Sequence, residues 1–77
     1  MSEFDSIVNN LNDDVLTEYA TELFEILLGR GMPDDVVCVF VKKYVQTYIS
    51  RRNKHGDVIR EFFTPNAFID QILKQIG

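Results

Sequence analysis

A chain of 77 residues with 45% hydrophobic residues, six Phe and three Tyr has enough apolar material for one modest core, which excludes a second domain and argues against disorder. Its net charge is −4 and its single cysteine, Cys38, excludes an internal disulfide and suits a reducing compartment. The longest apolar run, "VVCVFV" at 36–41, falls far short of the roughly 20 residues that cross a bilayer. The acidic start "MSEFDSIVNN" lacks the basic and apolar regions of a signal peptide, so a soluble, cytoplasmic protein without a membrane span is expected.

In chain order, Ser2 can cap a first helix whose apolar face is Phe4, Ile7, Val8 and Leu11 at i, i+3, i+4, i+7 spacing. Asn12 can cap a second, with Asp13 and Asp14 at its positive end. That helix runs through "VLTEYATELFEILL" to Gly29 or Gly31, either of which suits a left-handed C-terminal cap. Pro33 fits the first turn of a third helix, again with two acids, Asp34 and Asp35, at the start. The β-branched run 36–41 taken alone could be a buried strand. The longer window favours helix from about 33 to 53, because Val37, Phe40, Val41, Tyr44, Val45, Tyr48 and Ile49 keep helical spacing.

Gly56 can end the third helix and Asp57 can cap a short fourth, "VIREFF". Thr64-Pro65, a capping residue followed by proline, opens a fifth that buries Phe68, Ile69, Ile72, Leu73 and Ile76. The expected fold is all-α: a compact, single-domain bundle of four to five short helices spanning residues 1–77. The apolar positions of the second and third helices spread well beyond the stripe of about 100° that a surface helix needs. Either both are central to the fold or a second chain covers part of them, so a homo-oligomer stays open. The pair Phe62-Phe63 poses a related choice. The expectation is that both rings are buried, with the fourth helix wedged between two layers; otherwise one is an exposed anchor.

Charge is unevenly placed. Residues 1–35 carry nine acids and one base, a net −8, whereas residues 36–77 carry seven bases and three acids, a net +4. Such asymmetry points to interaction surfaces. The stretch "ISRRNKHGDVIR" gathers Arg51, Arg52, Lys54, His55 and Arg60 against one acid, Asp57. Part of this is ordinary helix-end chemistry, since cations suit the negative end of the dipole and Arg52 lies four residues after Tyr48, within reach of its ring. Arg60, across the turn, is not explained that way. The complementary feature is an acidic ridge on the second helix, Glu18, Glu22 and Glu25 at i, i+4, i+7. It is either solvated or covered by something basic: a partner, Lys43, or a second copy.

Catalytic groups are sparse. Cys38 falls within the apolar arc of the third helix, where a cysteine serves as a small buried hydrophobe. His55 sits beside Gly56 with no nucleophile or acid set around it, and no phosphate loop, zinc spacing or calcium loop is present. No enzyme activity, cofactor or metal is expected. Nucleic acid is a poor fit too. The helix of a would-be helix-turn-helix in "LLGRGMPDDVV" begins with two aspartates, and a pI near 4.7 lacks the basic footprint of such binders.

In size and composition alone, the chain resembles the small regulators and inhibitors encoded by phages and mobile elements. That likeness covers no particular residues. The expectation is a non-catalytic protein-interaction module that modulates a larger protein partner through its acidic and basic surfaces. The alternatives are a nucleic-acid-binding helical domain using the basic 51–60 corner, or a self-assembling subunit in which the acidic half of one copy meets the basic half of the next.

Overall fold

The computed structural model describes residues 3–76, with side chains to residue 75. The Ser2 cap and the burial of Ile76 expected above lie outside the described residues. Five helices occupy them: α1 Glu3–Asn9, α2 Asp14–Gly29, α3 Asp34–His55, α4 Ile59–Phe62 and α5 Pro65–Ile76. The all-α expectation holds, with 82% helix and no strand among the described residues. The β-branched run 36–41 is helical: Val37 and Val41, four residues apart, face the core with Phe40 beside them, while Val36 and Val39 point outward, a pattern of helical and not alternating period.

The helix boundaries follow local chemistry. Asp13, not Asn12, caps α2: it adopts an extended conformation and its carboxylate accepts from Val15 N at 2.9 Å and Leu16 N at 3.2 Å. Asn12 lies one residue too early for that role. After α2 the chain turns through Gly31 at φ 87°, whose N–H donates to the Leu28 carbonyl at 2.9 Å. Pro33 stands just before α3 rather than inside it, offering its carbonyl to Val37 N at 3.0 Å. α3 runs two residues beyond the expected end. It stops at Gly56, whose φ of 82° favours glycine and whose N–H donates to the Arg52 carbonyl at 2.7 Å. Asp57 makes no capping bond to α4. The residue at that helix's start is Val58, and the turn is closed instead by backbone bonds from Ile59 N to Gly56 O and Arg60 N to Asp57 O. Thr64 caps α5 as expected, its hydroxyl accepting from Ala67 N at 3.2 Å.

α3 is the central element. Val37, Val41, Tyr44, Val45 and Tyr48 form its buried stripe against Leu16, Ala20, Leu23 and Leu27 of α2. Tyr44 is the aromatic hub: it stacks on Phe63 at 4.8 Å and meets Phe68 edge-on at 5.2 Å between ring centroids. α1 rests on α2 and α3 through a stack of Phe4 on Phe24 at 4.2 Å, and α5 crosses α2 with Phe68 and Ile69 buried. The two broad apolar helices therefore satisfy each other within one chain, leaving only Val36 and Val39 of α3 exposed among their large hydrophobics.

The adjacent phenylalanines part company: Phe63 is 3% exposed and Phe62 is 71% exposed. Burial of both rings is thus corrected. α4 is a single turn covered on one side, so Ile59 and Phe63, four residues apart, point inward and Phe62 points out. Leu73 also lies exposed on α5, contrary to expectation, because no element covers that flank.

Candidate interaction surface

The last turn of α3 and the start of α4 carry the basic cluster, and the fold divides it. Arg51 and Arg52 project about 100° apart on the helix and leave the buried stripe on opposite flanks. Arg52 Nη1 donates to Asp13 Oδ2 at 2.6 Å, joining the end of α3 to the start of α2. A carboxylate is a stronger partner than the Tyr48 ring suggested by local spacing. Partial burial pushes the Asp13 carboxyl up, but the Leu16 and Val15 amides and the Arg52 guanidinium outweigh it and hold the group below its ordinary value. The ring contact belongs to the neighbour instead: the Arg51 guanidinium carbon lies 4.6 Å from the centroid of Phe63.

Arg60 follows Arg52. Their side chains line a polar cleft with Asp13, Asp14 and Asp57, so positive charge on this flank is met by acids of the same chain. His55 follows Arg51. The two border an apolar hollow with Val58, Ile59, Phe62 and Phe63. Lys54 is exposed and lines neither. Of the five basic residues singled out in the sequence, the structure thus brings together two pairs on different flanks and leaves one apart.

Two tyrosine hydroxyls make this corner rigid. Tyr44, fully buried, donates to the Phe63 carbonyl at 2.7 Å, and Tyr19 of α2 donates to the Arg60 carbonyl at 2.9 Å. Burial pushes the Tyr44 hydroxyl far above its ordinary value, so it remains a donor across the physiological range.

The acidic ridge is solvent-facing. Glu18, Glu22 and Glu25 are exposed on the outer side of α2. The ion pairs formed among the described residues, Arg52–Asp13 and Lys42–Glu3, do not involve them or Lys43. Lys43 lies instead along a hollow of ≈ 350 Å³ between α3 and α5, shared with Phe40, Thr47, Arg51, Phe63 and Ile72. Sequence reading missed this hollow. The spacing of Lys43, Thr47 and Arg51 on one face of α3 was visible, but the helix lying across it was not.

Cys38 is buried, and its thiol is raised above the ordinary value by burial first and then by the carboxylates of Glu3 and Asp34, which is the reverse of what activates a cysteine nucleophile. No group of three metal-ligating side chains converges among the described residues, and no helix is long and apolar enough to cross a membrane. No protein-family model, curated protein or solved structure matches the chain.

Proposed function

We propose that this chain is a non-catalytic protein-interaction module, a small regulator that modulates a larger protein by covering part of its surface. One observation carries the reading: at the α3–α4 corner a single large ring, Phe62, stands out of the molecule beside Val58, flanked by Arg51 and His55. Aromatic and arginine side chains dominate interface energetics, and a rigid backbone lowers the ordering cost of using them. The Tyr44 and Tyr19 hydrogen bonds supply that rigidity. The acidic ridge of α2 adds a field of opposite sign elsewhere on the surface, which suits orientation and specificity more than affinity. Regulation would be by steric or electrostatic masking, with the Arg51 side of the corner against an acidic surface of the partner.

The test is site-specific photo-crosslinking in the native host, with the photoreactive residue at position 62 or at the exposed position 46 on the outer side of α3. The expected result is a discrete heterologous protein adduct from position 62 that is absent from position 46. It should be lost on Arg51→Glu while helix content by circular dichroism is unchanged. Adducts only to a second copy, only to nucleic acid, or equally from both positions would overturn the proposal.

A further inference from the structure

The hollow between α3 and α5 has a neighbour at each end. It shares Arg51 and Phe63 with the corner hollow that holds His55 and Phe62, and Phe40 and Ile72 with an apolar hollow lined by Arg30, Met32 and Leu73. The three stand in a row along α3 as a segmented trough, with the Arg51 guanidinium over the Phe63 ring between two of them. From Phe40 to His55 the trough extends about 22 Å, the length of four helical turns.

Its charge is one-sided. The charged side chains that line it are Arg30, Lys43 and Arg51, with His55 at one end, and no aspartate or glutamate joins them. In a chain of net charge −4 this runs against composition. Glu61 and Asp70, on the bordering helices, are exposed but do not line it. The cleft on the other flank shows the contrast, since Arg52 is paired there with Asp13, and Arg60 shares the lining with Asp13, Asp14 and Asp57. Three bases outside the ion pairs described above, Arg30, Lys43 and Arg51, therefore line the trough with no acid beside them in its lining. Accessible apolar surface lies between those charges, from the half-buried Phe40 and Ile72 and the exposed Leu73 and Phe62.

Building on the reading of the chain as an interaction module, we infer that the trough binds an acidic amphipathic helix presented by the partner protein. A helix of about four turns, with apolar residues at i, i+3 or i+4 and i+7 and carboxylates along its flanks, matches the trough in length, polarity and sign. A second copy of this chain does not. The α2 ridge offers Glu18, Glu22 and Glu25, but the apolar residues of α2 pack on its own core, Leu16, Leu23 and Leu27 fully and Tyr19, Phe24, Ile26 and Leu28 in part, so no exposed large hydrophobic accompanies the ridge. Single-stranded nucleic acid fits less well, because Phe63 and Phe68 in the floor are buried and Phe62 is the one exposed ring among the lining residues, too few for successive bases to stack.

The test uses the full chain and two labelled peptides of identical leucine spacing, one with glutamates and one with lysines at the polar positions, together with a labelled single-stranded oligonucleotide. Fluorescence anisotropy at low salt should show the glutamate peptide binding at least about tenfold more tightly than the lysine peptide, with affinity falling as salt rises. Lys43→Glu and Arg51→Glu should each weaken it by about fivefold or more, while Lys54→Glu, the same charge change on the same helix outside the trough, should leave it within about twofold. The inference is overturned by equal binding of the two peptides, by failure of the glutamate peptide to bind, or by an equal effect of Lys54→Glu. Tighter binding of the oligonucleotide, or a dimer whose interface protects Lys43 and Arg51, would overturn it as well. A crosslinked partner from position 62 with no glutamate-peptide binding defeats the trough and leaves the interaction module standing. Peptide binding with no such adduct defeats the interaction proposal on which it was built.

Discussion

Asp13 is held from two directions: its carboxylate accepts two amides at the start of α2 and the guanidinium of Arg52 from the end of α3. The two roles separate by mutation. Arg52→Ala removes a partly exposed ion pair and should cost about 0.5 kcal/mol, whereas Asp13→Ala removes the cap as well and should cost about 1–2 kcal/mol by urea denaturation at pH 7. The pH dependence has a definite sign. The folded carboxyl lies below its ordinary value of 3.8, so near that pH the unfolded chain binds the proton more readily than the folded one. The stabilisation is complete above the unfolded value and lost as pH falls through the folded one. The difference between wild type and Asp13→Ala should therefore shrink below about pH 4. A difference that stayed constant from pH 7 to pH 3 would show that the charge of Asp13 contributes nothing.

α4 is the element that depends most on its neighbours. Four residues cannot sustain a helix alone, and its place is fixed by the burial of Ile59 and Phe63 and by the two tyrosine hydroxyls that bind its backbone. Tyr44→Phe leaves the Phe63 carbonyl without a donor where water does not reach, which should cost about 1–2 kcal/mol. Hydrogen exchange should quicken first at the amides of residues 59–63. Tyr19→Phe should cost less, since the Arg60 carbonyl is exposed and water can replace the phenol. Uniform quickening throughout the chain in Tyr44→Phe would refute a local role for this bond. Much of this element level was legible in the sequence: Thr64-Pro65, Gly56 and the glycines after α2 mark ends by backbone chemistry that needs no distant partner. What stayed hidden was non-local. Asn12 and Asp13 are both competent caps, and only the final geometry chooses. Helical spacing assigns Arg52 to Tyr48 because its true partner lies 39 residues away, and the trough joins Lys43 and Arg51 of α3 to Arg30 in the turn after α2.

At the level of the whole molecule, the arrangement is flat, with Cα extents of 33 × 33 × 15 Å. α3 lies in the middle and the other helices cover its stripe, so the broad apolar arcs of α2 and α3 require no second chain. The expected species in solution is a monomer of 8.9 kDa at both low and high salt, by light scattering on a sizing column. A dimer that survives salt would place Val36, Val39 or the trough at an interface, and one that dissolves in salt would mean that the acidic and basic surfaces meet between copies. Attachment to the central helix is uneven. α1 contributes no fully buried residue and rests on its neighbours through the half-buried Ile7 and Val8, the Phe4–Phe24 stack and the Glu3–Lys42 pair, while Cys38 lies buried on α3 within the field of Glu3. The only sulfhydryl in the chain is thus buried close to a helix that has no fully buried residue of its own. Its rate of reaction with a small disulfide reagent becomes a built-in stopwatch for how often the packing around this part of α3 opens, read without adding a label anywhere in the molecule.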